Sequence, residues 1–255
     1  MFYMAKTFKD KGNGGMMKKT IVTIAAALCA ASAFATIRAV SHDDYGKENA
    51  WQRKRHAEKM EVVTNGGAKV VFIGDSITHF WESKGKAQLE KYFSEGDMKM
   101  LDLGVSADRT EHVLWRLNEG GELDGYEAKC VLLMIGTNNT WHRNDKPEAI
   151  ADGIRRILDI IARKQPEATT LLLPIFPFGA NDADAKRINN EKANAIIKGY
   201  ADGEKVVWVD FNSKFLDEKG DNIALMPDHC HPNERGYAEV WLPSVLPYFK
   251  KACGK

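Results

Sequence analysis

The stretch that decides the fold is Lys69–Trp81, KVVFIGDSITHFW. Its first part, Val70–Ile73, is a continuous apolar and β-branched run, as expected of a strand buried on both faces of a parallel sheet. The run ends at Gly74, where a sharp turn favours glycine, and the following Asp75 and Ser76 suit the first positions of a helix. Ser76 is therefore predicted to lie just beyond the carboxyl end of a strand, where open α/β sheets bind their ligands.

Strands and helices alternate along the rest of the chain. Apolar runs predict four further strands, at residues 98–104, 130–135, 169–175 and 206–210. Helical spacing and helix-end signals predict helices at 88–93, 110–117, 147–164, 184–200 and 233–250, preceded by an amphipathic helix at 51–62. This alternation is typical of a parallel sheet with right-handed crossovers. We predict an α/β fold: a three-layer, flavodoxin-like sandwich with a five-stranded parallel sheet and helices on both faces.

The amino terminus is typical of a secretory signal. A basic start at 16–19 precedes a short apolar stretch at 20–32 and the small-residue pattern Ala33-Phe34-Ala35. We expect cleavage after Ala35, a secreted or periplasmic protein, and a start codon assigned too early, upstream of the signal. The apolar stretch is too short for a transmembrane helix, so no stable membrane span is expected. The predicted organisation is a signal peptide at 1–35, a lead-in helix segment at 36–64 and one α/β domain at 65–255.

Composition narrows the class of protein. A chain of 255 residues with 44% hydrophobic and 28% charged residues can bury one sizeable core. The formal net charge is +1, with both signs spread along the chain, so no nucleic-acid partner is expected. The cysteines do not form a disulfide framework: Cys29 lies in the signal, Cys130 opens a strand, and only a pairing of Cys230 with Cys253 is left open.

Polar residues follow several strands at the edge where ligands bind. Ser76 follows the first strand, residues 104–108 follow the second, Asn138 follows the third, and Asp228 and His231 precede the last helix. A serine nucleophile needs a base within hydrogen-bond reach, a carboxylate that orients this base, and donors for an oxyanion. Asp228 and His231 are three residues apart, so the carboxylate could hold one ring nitrogen while the other faces Ser76. Asn138 and backbone N–H groups could supply the donors.

Each part of this arrangement also has a structural interpretation. Ser76 could simply cap a helix, an Asp-x-x-His pair occurs often by chance, and residues 136–139 could be a turn. His229, Cys230 and His231 resemble metal ligands, but alternate residues of one loop rarely close a site and the sequence has no second Cys/His cluster, so no metal is expected. The G-x-S-x-G motif of α/β-hydrolases and the glycine-rich phosphate loops are absent from the sequence.

Five blocks together resemble a known family. They are FIGDSITHFWE at 72–82, ADRTEHVLWRLNEGGELDG at 107–125, VLLMIGTNNT at 131–140, LLLPIFPFG at 171–179 and LMPDHCHPNERGY at 225–237. In this order, each at a strand end, they resemble the SGNH (GDSL-type) hydrolase superfamily. The most similar branch is that of the platelet-activating-factor acetylhydrolase catalytic subunits and their bacterial relatives. The resemblance covers essentially the whole chain after the signal and makes 65–255 an SGNH hydrolase domain.

The resemblance implies a role for each candidate residue. Ser76 is the nucleophile, His231 the general base and Asp228 the partner that orients it. The oxyanion donors are Asn138 and the backbone N–H groups of Ser76 and Ala107. Family members usually carry glycine at the position of Ala107, so a methyl group here lies beside the acyl pocket.

We accordingly expect a serine esterase that hydrolyses short acyl esters, in the first place acetyl esters, through an acyl-serine intermediate and without metal or organic cofactor. Export favours a glycan ester, with a lipid or aryl ester as the alternative substrate. A non-catalytic glycan-binding module and a phosphate-binding flavodoxin-like protein are the rival classes. Further candidates for substrate contact are Asp75, Trp81, Trp141 and Phe178, whose aromatic members could equally be lid or core residues. The branch includes dimers, which makes a homodimer one of the expected states.

Overall fold

The strands form one parallel sheet. The computed structural model describes residues 39–40 and 50–254, and within them five strands pair in the order β2-β1-β3-β4-β5. Every pair is parallel. The strands are β1 (Val70–Gly74), β2 (Met100–Gly104), β3 (Cys130–Met134), β4 (Thr169–Leu172) and β5 (Val206–Trp208). The sheet confirms the predicted α/β fold, although β4 ends sooner than expected, ahead of Pro174, which has no N–H to donate.

The helices lie between the strands. They are α1 (Ala50–Thr64), α2 (Ser76–His79), α3 (Lys86–Tyr92), α4 (Thr110–Asn118), α5 (Thr137–Arg143), α6 (Pro147–Lys164), α7 (Ala185–Ile197) and α8 (Leu242–Ala252). Helix α5 replaces the turn considered at 136–139; it begins after Gly136, whose φ of +129° favours glycine. The helix predicted at 233–250 consists of a π-helical turn at Gly236–Trp241 followed by α8.

Both faces of the sheet are covered, which produces the predicted three layers. In β1, Val71 and Ile73 face an aliphatic core to which α4, α6 and α7 contribute. Val70 and Phe72 face a second core, rich in aromatic rings, to which α8 contributes. A strand with apolar side chains on both faces fits between two such cores, which explains its continuous apolar sequence.

Helix α1 docks on the domain through polar side chains. A helix is therefore present where one was predicted at 51–62, but it is not amphipathic as expected. Its buried residues are Gln52, Arg55 and Val63. Arg55 Nε donates to the carbonyl oxygen of Gly104 at 2.7 Å, and its Nη1 lies 2.7 Å from Glu82 Oε2. Apolar periodicity cannot reveal such a helix, because its contacts with the domain are mostly hydrogen bonds and ion pairs.

Several expectations fall outside what the structure tests. The signal peptide and its cleavage after Ala35 lie outside the described residues, and the domain limits and the homodimer stay predictions. In the described part of the chain, no helix is both long and apolar enough to span a membrane. In the described part of the chain no disulfide joins Cys230 to Cys253, and Cys253 Sγ donates to the carbonyl oxygen of Asp97 at 3.1 Å.

Candidate active site

Ser76 follows β1, the strand from which the chain continues to one side of the sheet and later to the other. The neighbours of β1 are β2 on one side and β3 on the other, so a crevice opens beyond its carboxyl end. The last residue of β1 has to be glycine, because a Cβ at position 74 would lie 2.1 Å from Thr78 Oγ1. Asp75 then caps α2, with its Oδ1 accepting the N–H of Ile77 at 3.0 Å. Ser76 is the first residue of this short helix and lines the crevice.

A chain of hydrogen bonds joins three of the predicted side chains. Ser76 Oγ lies 2.8 Å from His231 Nε2, and His231 Nδ1 lies 2.7 Å from Asp228 Oδ2. Asp228 Oδ1 accepts the backbone N–H groups of Cys230 at 3.0 Å and His231 at 2.7 Å, which fixes the carboxylate.

The charge of Asp228 sets the direction of these bonds. Burial raises the pKa of the Asp228 carboxyl, but the hydrogen bonds from His231 and Cys230 outweigh burial and hold the pKa below its ordinary value. The group is therefore ionised at neutral pH. A carboxylate can only accept, so it favours the tautomer of His231 that carries its proton on Nδ1. His231 Nε2 is then free to accept the proton of Ser76.

His229 takes no part in this chain of hydrogen bonds. Its Nδ1 lies 2.8 Å from Asn222 Oδ1, and its carbonyl oxygen accepts the N–H of Gly179 at 2.9 Å. Within residues 39–40 and 50–254, no three His, Cys, Asp or Glu side chains are grouped so that they could hold a metal ion. His229 and His231 are close in sequence, but their side chains bind different partners, Asn222 and Asp228.

The predicted oxyanion donors lie beside Ser76. Ala107 and Asn138 line the same cleft. Ala107 has a φ of +66°, so the loop adopts the left-handed conformation that glycine favours and keeps it despite the methyl group. No backbone carbonyl of the described residues accepts a hydrogen bond from the Ala107 N–H. Asn138 Nδ2 donates one hydrogen bond to the carbonyl oxygen of Asp108 at 2.9 Å, which leaves its second N–H for a ligand.

A buried ion network holds the loop that carries Ala107. Asp108 Oδ2 accepts a hydrogen bond from Arg116 Nε at 2.8 Å, and Arg116 also pairs with Glu122, all with fully buried side chains. Glu122 Oε1 lies 2.7 Å from His56 Nδ1 on α1. Burial raises the pKa of Glu122, but Arg116 and His56 outweigh it and hold the pKa below its ordinary value. The loop is thereby anchored to α4 and α1 by charges that are costly to leave unpaired.

The cleft has a volume of about 440 Å³ and is lined by Ser76, Ala107, Asn138, Asp228, His231 and Trp141, among others. This volume lies within the range of small-molecule sites. Trp141 is 48% exposed, as expected of a ring that can contact a substrate. Phe178 is 6% exposed and packs edge-on against Trp141 at 4.7 Å, so it supports Trp141 instead of facing the cleft.

Trp81 and Asp75 do not contact the cleft, contrary to prediction. Trp81 is fully buried, because the 3₁₀ turn after α2 directs its ring into the aromatic core, where it packs against Tyr237 and Trp241. Asp75 is also fully buried and serves as the cap of α2. Burial raises the pKa of the Asp75 carboxyl to about 7.

The cleft region also contains a serine and a histidine that hydrogen-bond to each other and were not among the predicted side chains. Ser106 lines the cleft beside Ala107, and its Oγ lies 3.0 Å from His79 Nδ1. The loop at 104–108 is predicted only as a source of backbone donors, although a serine in it brings a hydroxyl to the same edge. His79 lies three residues after Ser76, which places both on one face of α2. That spacing is the signal from which His79 could be predicted.

The family model for GDSL-like lipases and acylhydrolases matches residues 72–239. This span contains Ser76, Asn138, Asp228 and His231 with the geometry described above. The chain belongs to the GDSL-like lipase/acylhydrolase family. It is accordingly a GDSL-type acylhydrolase, an enzyme that hydrolyses esters.

A curated relative supports this assignment, and solved structures share the fold. The chain is 32% identical over 177 residues to the alpha1 subunit of platelet-activating factor acetylhydrolase IB from Pongo abelii, covering 68% of this chain and 71% of that protein. In fold it is similar to a GDSL-like lipase from Bacteroides thetaiotaomicron (TM-score 0.61, 18% identity, 77% and 99% of the two chains covered). It is also similar to an acetylxylan esterase from Geobacillus stearothermophilus (TM-score 0.55, 19% identity, 74% and 95% covered).

Proposed function

We propose that this GDSL hydrolase is an exported serine esterase that removes acetyl groups from carbohydrate esters. The observation that carries the proposal is the continuous chain of short hydrogen bonds from Ser76 through His231 to Asp228. The acetyl group is supported by the methyl of Ala107 in the cleft and by curated relatives named acetylhydrolase. The carbohydrate is supported by the exposed ring of Trp141 in the cleft, and export by the signal-like amino terminus.

The first half of the reaction forms an acyl-enzyme. Ser76 Oγ attacks the ester carbonyl carbon while His231 Nε2 takes the hydroxyl proton, and Asp228 stabilises the resulting imidazolium. The carbonyl oxygen becomes an oxyanion, for which the backbone N–H groups of Ser76 and Ala107 and the Asn138 amide are the donors. The bond to the alcohol oxygen then breaks, His231 returns its proton to this oxygen, and acetyl-Ser76 remains.

The second half repeats the same steps with water. His231 Nε2 takes a proton from a water molecule, whose oxygen attacks the acetyl carbonyl carbon of acetyl-Ser76. The same donors hold the second oxyanion. When the bond to Ser76 Oγ breaks, His231 returns the proton to the serine and acetate leaves. The proposed steps use one water molecule and groups that the chain itself provides.

Hydrolysis of p-nitrophenyl esters of increasing chain length tests the proposal. The mature chain is expected to turn over the acetate fastest, and Ser76→Ala is expected to abolish turnover without changing the circular dichroism spectrum. Ser94→Ala is the matched control, because Ser94 is exposed on the surface and only donates to the carbonyl oxygen of Glu90. Turnover of a partly acetylated xylo-oligosaccharide would support the carbohydrate assignment. Ser76-independent turnover would contradict the mechanism, and a preference for long acyl chains would contradict the acetyl assignment.

A further inference from the structure

Ser106 is held in the cleft by two independent contacts. Its Oγ lies 3.0 Å from His79 Nδ1, and its carbonyl oxygen accepts a hydrogen bond from Gln52 Nε2 at 3.1 Å. Gln52 belongs to α1 and is buried. A side chain whose backbone and hydroxyl are both fixed is preorganised for recognition, because little freedom is lost when a ligand binds. The proposed mechanism gives this hydroxyl no role.

His79 is a neutral partner for this hydroxyl. Burial, and after it the nearby Arg55 guanidinium, lower the pKa of His79 to about 4, while Glu82 acts in the opposite direction. If His79 Nδ1 accepts the proton of Ser106, the serine oxygen can accept a further hydrogen bond. If Nδ1 donates, the serine can donate its own proton. In either tautomer the pair suits an alcohol hydroxyl, which both donates and accepts.

Ser106 and His79 lie near the part of the cleft where the leaving alcohol departs. The ring of Phe80 lies 5.1 Å from that of His231 and 6.1 Å from that of His79. Ser106, Phe80 and His231 line the same cleft, and His231 is the group that returns a proton to the departing alcohol. Trp51, at the start of α1, lies over His79 with ring centroids 6.2 Å apart and is 42% exposed. An exposed aromatic ring beside a polar pair is a common arrangement for binding a sugar, whose C–H faces pack on the ring.

We propose that Ser106, held by His79, forms a subsite that binds a free hydroxyl of the leaving alcohol, with Trp51 as its outer aromatic border. The inference rests on the proposed esterase function and specifies the class of its substrate: an acetyl ester of a polyhydroxylated alcohol with a free hydroxyl near the ester. Ser106 is in this account a specificity-determining residue. His79 is a positioning residue, since it acts through Ser106.

The test compares two acetate esters of six-membered rings. Monoacetylated xylose has free hydroxyl groups near the ester, whereas cyclohexyl acetate has none. Both give the same acetyl-enzyme, so the second half of the reaction is common to both and kcat/KM reports the step in which the leaving alcohol is bound. Losing one hydrogen bond to the sugar in Ser106→Ala should lower kcat/KM for acetylxylose by about tenfold. The same variant should lower kcat/KM for cyclohexyl acetate by much less.

Two further variants separate recognition from structure. His79→Phe keeps a ring against Trp51 but has no ring nitrogen, so it should reproduce the loss of selectivity of Ser106→Ala. Ser94→Ala, far from the site, should change neither substrate. An equal loss for both esters in Ser106→Ala would show that Ser106 only supports the loop, and no loss for either would show that it binds nothing; both would overturn the subsite. If the unsubstituted enzyme has no Ser76-dependent turnover of either ester, the proposed function itself fails.

Discussion

Two serine–histidine pairs lie in the same region of this protein and differ in the charged group that acts on the histidine. Ser76 Oγ is 2.8 Å from His231, and Ser106 Oγ is 3.0 Å from His79. Behind His231 is the carboxylate of Asp228, at 2.7 Å. The charge that most affects His79 is the Arg55 guanidinium, which adds to the effect of burial and lowers the pKa of His79 to about 4.

The difference shows that a short serine–histidine contact does not by itself make a nucleophile. A base must gain a positive charge as it takes the serine proton, and a carboxylate stabilises that charge whereas a guanidinium opposes it. We therefore assign proton transfer to the pair whose histidine is hydrogen-bonded to Asp228, and hydrogen bonding alone to the pair formed by Ser106 and His79. The surroundings of the histidine, more than the pair itself, decide the chemistry.

The largest expected effect comes from removing the carboxylate that distinguishes the two pairs. Asp228→Asn should lower kcat by about 10⁴, because an amide can hold the wrong tautomer of His231 and cannot stabilise its charge. The measurement is steady-state hydrolysis of p-nitrophenyl acetate. Asp217→Asn is the matched control, since Asp217 also accepts backbone N–H groups in a turn but contacts no histidine at the site. If Asp228→Asn kept most of its turnover, the assignment of the two pairs would be wrong.

The next largest effect is expected at Asn138, a proposed donor to the oxyanion that forms beside Ser76. Asn138→Ala should lower kcat by about 10²–10³ and should cost less stability than the same change at Asn139, because Asn138 makes one hydrogen bond to the protein, to the carbonyl oxygen of Asp108. Its neighbour gives the contrast: Asn139 Oδ1 accepts the N–H of Thr110 at 3.0 Å, and its Nδ2 donates to Asp145 at 2.9 Å. Asn139→Ala should therefore destabilise the fold by about 1–3 kcal/mol. Urea denaturation and kinetics of both variants check this, and a reversed pattern would refute the assignment of Asn138.

A smaller effect, on the free energy of unfolding, is expected at Ala107, which follows Ser106 in the loop. Ala107 has a φ of +66°, which costs an alanine roughly 1–2 kcal/mol, while glycine loses about 0.5–1 kcal/mol through its freer unfolded chain. Ala107→Gly should therefore raise the free energy of unfolding by about 0.5–1 kcal/mol. Ala162→Gly on the exposed face of α6 is the control and should lower it by about 1 kcal/mol. Equal destabilisation in both variants would show that the loop conformation carries no strain.

The smallest effect concerns the histidine of the second pair. Arg55→Met removes the positive charge beside His79, so the pKa of this ring should rise. It should stay below its ordinary value, because burial is the larger cause and persists in the variant. A proton NMR titration of the ring signals measures the shift, with the His79→Phe protein used to assign the signals of His79. An unchanged or lowered pKa of His79 would mean that Arg55 does not set the charge of this pair.

The sequence allows the site to be predicted where topology determines it. Ser76 and Asn138 follow neighbouring parallel strands, so they must meet at one edge of the sheet, and the spacing of Asp228 and His231 lets both face Ser76. For Trp81 the sequence left substrate contact and a core position open, and the structure places it in the core. An aromatic residue after a short helix can turn either to the rim or to the core, and no local signal decides between them.

The region around Ser106 could not be predicted for a different reason. Gln52 and Arg55 bind the end of β2 and the following loop through hydrogen bonds from the buried face of α1. Such contacts join residues about 50 positions apart and leave no periodic pattern in the sequence. Apolar periodicity locates helices that pack on a core, whereas a helix that docks through polar groups is visible only in the structure.

The most direct test of the account is to find which serine carries the acyl group. The enzyme is mixed with a rapidly reacting acetate ester, quenched in acid during turnover, digested and analysed by peptide mass spectrometry. We predict one added acetyl group on the peptide that contains Ser76, enriched further in Asp228→Asn if deacylation slows more than acylation, and none on the peptide that contains Ser106. An acetyl group on Ser106, or full turnover by Ser76→Ala, would contradict the account.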